Sequence, residues 1–127
     1  MSANLANVKK WTDALRSGEY KQGQGQLREA DTYCCLGVLC DVSQVGAWEG
    51  RSEDFTGYAT NYTTRTGSNP AAPPAEVNEW LGTPLGNITA EVEGTLAGLW
   101  RLNDYYRLNF NQIADVIDQF FGLKGKR

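Results

Sequence analysis

Apolar residues recur along the first segment at three- and four-residue steps. Leu5, Val8, Trp11 (with Thr12) and Leu15 share one stripe, while Lys9, Lys10, Asp13 and Arg16 take other faces. The spacing predicts an amphipathic helix, and Gly18 stands where a C-terminal cap belongs. The last segment repeats the pattern. Phe110, Ile113, Ala114, Ile117, Phe120 and Phe121 form a stripe that leaves Asp115, Asp118 and Gln119 outside, with Asn109 as N-cap and Gly122 as stop.

Between these helices the periods are short. Two glycines among glutamines interrupt residues 20–28, whose flanks predict the arms of a small hairpin or a tight loop. Asp31-Thr32 reads as a turn. The most apolar run, residues 34–42, suits a buried helix starting near Asp31 or Thr32, although so short a run also fits a strand. Gly37 would let another backbone approach closely. Residues 74–82 predict a short helix with Val77, Trp80 and Leu81 as its buried face, proline at its start and glycine past its end. Residues 89–93 alternate as a strand does. Thr95 then caps a predicted helix carrying Leu96, Leu99, Trp100 and Leu102, which Asn103-Asp104 would break.

Residues 46–75 depart from both periods. Gly, Ser, Thr and Asn dominate, Trp48, Phe55, Tyr58 and Tyr62 are spaced among them, and Pro70, Pro73 and Pro74 close the stretch. It is expected to be a long loop, acting as a lid or forming a variable insertion. No repeat and no second core is visible. The expected architecture is one α+β domain over residues 1–127, mainly helices packed on a short hairpin or small antiparallel sheet, with a basic tail at 123–127.

Composition sharpens this picture. A chain of 127 residues with 41% hydrophobic content can bury one core. The longest apolar run, Leu36 to Cys40, is far short of the ~20 residues of a membrane span, and Met1-Ser2-Ala3-Asn4 lacks a signal-peptide layout. A cytoplasmic protein with no membrane partner is expected. Net charge is −3, against broad nucleic-acid binding, but the charge is uneven: +3 over residues 1–28, −8 over 29–100 and +2 over 101–127. The basic ends either neutralise the acidic middle or meet an anionic ligand.

The absence of histidine removes Ser-His-Asp triads, Cys-His pairs and imidazole bases. Cys34, Cys35 and Cys40 form one local cluster without the second ligand pair of a structural zinc site, and read as buried reduced thiols. Glu91 and Glu93 would share a strand face, but no carboxylate pair ordered for acid–base work is apparent. Residues 110–117 echo the first helix of a helix-turn-helix, and no basic recognition helix follows. The Gly23-x-Gly25 segment lacks the ending of a phosphate loop. Its surroundings still gather an aromatic face, cations and amides, the parts that hold a nucleotide. The expected ligand-binding set is Tyr20, Lys21, Gln22, Gln24 and Arg28, with Trp11 and Arg16 on the adjoining helix. No catalytic residue, metal or cofactor is expected. A plain polar hairpin in water is the other reading of the same residues.

The ordered run of these motifs has a likeness. Trp11-x-x-Ala14-Leu15-x-Ser17-Gly18-x-Tyr20-x-Gln22-Gly23-x-Gly25-x-Leu27, then Tyr33-Cys34-Cys35-Leu36-Gly37-Val38-Leu39-Cys40-Asp41, then Leu102-Asn103-Asp104 and Phe110-x-x-Ile113-Ala114-Asp115-x-Ile117 resemble small uncharacterised proteins of tailed bacteriophages and prophages. Tyr105-Tyr106 departs from that pattern, which leads one to expect small residues after Asn-Asp. The resemblance implies a phage accessory protein in the bacterial host cytoplasm, countering host defence by masking a protein or sequestering a nucleotide signal.

Three functional expectations follow. The first is a non-enzymatic binder of a small anionic, nucleotide-type ligand, with residues 46–75 as lid and a homo-oligomer completing the pocket. The second is an inhibitor that binds a host protein through Trp48, Phe55, Tyr58 and Tyr62. The third is a small enzyme acting on a nucleotide with carboxylates or the Cys34 or Cys35 thiolate.

Overall fold

The computed structural model describes residues 3–29, 31–54, 57–69 and 72–123. Helix α1 (Leu5–Arg16) is capped by the Asn4 side chain, which accepts from the Asn7 amide, and it buries Val8, Trp11, Thr12 and Leu15. Helix α5 (Phe110–Phe120) starts at a full capping box between Asn109 and Gln112 and buries Phe110, Ile113, Ala114 and Ile117. These two amphipathic helices lie together, and α2 (Cys35–Ser43) packs on α1 with almost every residue buried. Helix α3 (Ala75–Leu81) ends at a left-handed Gly82, as its proline and glycine predict. The result is a small α+β domain.

The 20–28 segment is not a hairpin. Its arms, β1 (Lys21–Gln22) and β2 (Arg28–Glu29), flank β3 (Thr32–Tyr33), parallel and antiparallel respectively. Thr32 and Tyr33 are therefore strand, and the apolar helix begins only at Cys35. Gly37 explains why helix and strand segment meet so closely. A Cβ there would run into the Leu27 carbonyl oxygen.

Residues 46–75 are also more ordered than expected. They form β4 (Ala47–Asp54), β5 (Gly57–Thr64) and β6 (Gly67–Asn69), a meander in which β5 pairs with β2, β4 and β6. Sheet order is β1-β3-β2-β5-β4, with β6 on β5. Aromatic and β-branched residues at every second position of β5, Tyr58, Thr60, Tyr62 and Thr64, suit a pleated surface despite the polar composition. Neither a lid nor a structureless insertion describes this segment.

A second, two-stranded sheet joins β7 (Thr89–Val92) and β8 (Thr95–Gly98). Its turn residues Glu93 and Gly94 both have positive φ, 53° and 83°, the backbone of a two-residue hairpin. Thr95 is therefore a strand residue, not a helix cap. Helix α4 (Leu99–Asp104) starts four residues later and contains Asn103-Asp104 rather than breaking there. No helix among the described residues is long and apolar enough to cross a membrane. Phe55 and the 124–127 tail lie outside the described residues.

Candidate functional site

The ligand-binding set named from the sequence does not assemble in one place. Trp11 is fully buried, and its indole donates to the Cys35 carbonyl at 3.1 Å. Arg16 bridges α1 to α5, 2.7 Å from Asp115 and 2.9 Å from Asp118. Burial opposes its charge, and the hydrogen bonds from the two carboxylates outweigh that, so the guanidinium is held above its ordinary pKa. Lys21 pairs with Asp31 at 3.1 Å, both largely exposed. That hydrogen bond and charge hold the Asp31 carboxyl below its usual range.

Register separates the remaining cations. Gln22, Tyr33 and Arg28 lie side by side across β1, β3 and β2, while Lys21, Thr32 and Glu29 form the neighbouring row. Adjacent rows point to opposite faces of a sheet, so Lys21 and Arg28 do not face a common ligand. Gln24 is exposed on the loop.

Gln22 has a structural task. Its Nε2 donates to Asn103 Oδ1 at 2.9 Å and to the Leu108 carbonyl at 2.8 Å. Asn103 is fully buried; it also accepts from the Cys35 amide and donates to the Gly23 carbonyl and Asp104. One asparagine thus ties the glycine loop, α2 and α4 together. The Gln22-Gly23, Cys34-Cys35 and Asn103-Asp104 motifs meet here, and they hold the fold.

On the row of Arg28 an aromatic ladder runs Tyr20, Tyr33, Trp48, Tyr62 with ring centroids 5.0, 5.8 and 4.8 Å apart. The Arg28 guanidinium lies 5.1 Å from the Tyr33 ring and 5.6 Å from Trp48. Asp41 accepts from the Tyr20 hydroxyl and, at 3.0 Å, from the Trp48 indole. Burial, then the bond to Asp41, raises the Tyr20 phenol well above its usual pKa. Tyr62 is 1% exposed and Trp48 is half-buried, so these rings belong to the packing. They do not form the contact surface expected of them. The Phe55 and Tyr58 side chains of that surface lie outside the described residues.

Two hollows touch Tyr20. The larger, about 520 Å³ and open, sets Lys10 against Asp13, Glu19 and Asp41, an acidic lining that repels an anion. The smaller, about 300 Å³, brings Arg16, Tyr20 and Gln22 together with Asn109 and Asn111. There the Arg16 charge is already matched by two carboxylates.

The cysteines are closed to chemistry. All three thiols are free and buried. Burial pushes Cys34 up to about 11 and raises Cys35 and Cys40 further. No group of three or more potential metal-ligating side chains occurs among the described residues.

What the fold leaves uncovered lies elsewhere. Leu96, Trp100 and Tyr105 are 69%, 59% and 69% exposed. The Arg101 guanidinium sits 6.0 Å from the Trp100 ring and 5.6 Å from Tyr105, joining the three into one aromatic, cationic surface. Single exposed apolar residues are ordinary, but Trp, Tyr and Arg side by side is the composition of binding hot spots. The helix expected from Thr95 put Leu96 and Trp100 in the core. Leu99 and Leu102, three apart, define the buried stripe of α4, and Trp100, one residue from Leu99, falls off it. That offset was the available signal.

A family model described as a domain of unknown function (DUF8296) matches residues 4–121. No curated protein and no solved structure matches the chain.

Proposed function

Because the chain belongs to the DUF8296 family, whose description carries no activity, we propose from its geometry that it is a non-enzymatic accessory protein that works by binding another protein. The observation that carries this reading is the uncovered Trp100–Arg101–Tyr105 surface with Leu96. The likeness of its motifs to proteins of tailed phages supports a setting in the bacterial cytoplasm, with a host defence protein as the one masked. A histidine-free chain with buried, high-pKa thiols has little to catalyse with, which weighs against the enzyme reading. The test is co-purification from bacterial lysate with wild type and with a W100A/Y105A variant. One protein held in stoichiometric amount by the wild type and lost by the variant supports the reading; retention by both variants, or no such protein, refutes it.

One observation favours a second reading, the anionic small ligand. Arg28 beside the Tyr33 and Trp48 rings combines a cation with π surface, as nucleotide sites do. Thermal-shift measurement against a nucleotide panel, repeated on R28A, tests it. A flat response to every compound at millimolar concentration removes it.

A further inference from the structure

The exposed surface borders a free strand edge. β8 pairs only with β7, and Thr95, Leu96, Ala97 and Gly98 make no backbone hydrogen bond beyond that ladder among the described residues. Edge strands are ordinarily guarded by a charge, a proline or a bulge. Thr-Leu-Ala-Gly has no charge and no proline, and its register with β7 runs unbroken from Val92↔Thr95 to Thr89↔Gly98. The β7 strand, by contrast, carries exposed Glu91. Along β8, Ala97 is buried at 1% exposure and Leu96 points outward at 69%, toward the side of the chain where Trp100 and Tyr105 are also uncovered.

We infer that an extended segment of the partner protein, with apolar residues alternating with Asp or Glu, adds as a strand to the free edge of β8. This rests on the protein-binding reading above and names the class of partner. The segment's backbone satisfies the open edge, its apolar side chains cover Leu96, Trp100 and Tyr105, and its carboxylates meet Arg101. Charge selects the acidic class. Arg101 and Arg107 form no ion pair among the described residues. Area selects a segment over a whole domain face. The three exposed side chains offer roughly 400 Å², about half of what one partner contributes to a standard interface. A second copy of the chain is the competing occupant. A two-fold contact would lay the patch on its own image and bring each arginine near its like-charged copy, an arrangement that costs binding energy.

The probes are three capped, fluorescently labelled decapeptides of alternating Glu-Leu, Lys-Leu and Glu-Ser, measured by anisotropy against the full chain. The Glu-Leu peptide is expected to bind at least tenfold tighter than either counterpart. It should weaken tenfold or more on R101E and on W100A, and slow amide exchange in β8 several-fold. Equal binding of the Lys-Leu peptide, no binding of the Glu-Leu peptide, or binding without slowed exchange in β8 overturns the inference. So does sedimentation of the protein alone as a dimer that W100A converts to monomer, because the second copy then holds the edge. If a host protein still co-purifies in a Trp100- and Tyr105-dependent way while the acidic peptide fails, this inference falls and the protein-binding reading stands.

Discussion

The side-chain amide of Gln22 donates to Asn103 Oδ1 at 2.9 Å across 81 residues of chain. Asn103 is fully buried, and its other bonds reach the Cys35 amide, the Gly23 carbonyl and Asp104. Truncating it strands several buried polar groups at once, each costing about 1–3 kcal/mol. N103A is expected to lose about 3 kcal/mol of unfolding free energy, read from urea denaturation. N103D should fare no better, because it cannot donate to the Gly23 carbonyl. A loss under about 0.5 kcal/mol in N103A would mean that this network does not hold the fold.

The three buried thiols make a prediction about pH and reagent access. An unfolded cysteine ionises near 9, and burial moves Cys34 to about 11 with Cys35 and Cys40 raised also. The fold therefore holds these protons more tightly than the unfolded chain does. Their contribution to stability is whole below about pH 9 and is lost as pH climbs through the folded values. The urea midpoint should be level from pH 6 to 8.5 and fall above 9. At pH 8 a disulfide reagent should find no fast thiol in the native protein and three in urea. A fast-reacting native thiol would reopen the nucleophile reading.

Much of the architecture was legible in the chain, and the exceptions have physical causes. Helices α1 and α5 were readable because three full turns of periodicity and their caps agree. Residues 46–75 were misread because their strands are rich in Gly, Ser, Thr and Asn, which ordinarily mark loops. Pairing within the sheet overrode composition there. The helix placed at Thr95 failed because a four-residue strand and a short helix share too few positions to be told apart, whereas the Glu93-Gly94 turn was the better guide. For the site, Tyr20, Lys21, Gln22 and Arg28 are close in sequence, but proximity along an extended chain sends neighbours to opposite faces. Only the register reveals that Lys21 and Arg28 part company.

Removing the exposed rings should leave the fold intact. Trp100 and Tyr105 are more than half exposed and lie outside the buried core. Surface substitutions of this kind usually change stability by no more than about 0.5 kcal/mol. W100A/Y105A is expected to melt within a degree or two of wild type while losing any partner bound through these rings. A drop of ten degrees would assign the two rings to packing and remove them from the contact surface.

The ion pair between α1 and α5 predicts an asymmetry among its own members. Asp118 is 0% exposed and Asp115 is 61% exposed, yet both approach the same Arg16 nitrogen, at 2.9 and 2.7 Å. Solvent screens the Asp115 contact, so D115A should cost well under 1 kcal/mol. R16M leaves the Asp118 carboxylate buried without its guanidinium, and breaking one side of a buried pair typically costs about 3–5 kcal/mol. Replacing both partners removes the stranded charge. R16M/D118L should therefore be more stable than R16M alone, with a coupling of about 2 kcal/mol in a double-mutant cycle measured by urea unfolding. If the double variant loses as much as the two single losses added, Arg16 and Asp118 act independently. The seam between the terminal helices would then be held by its apolar stripe alone.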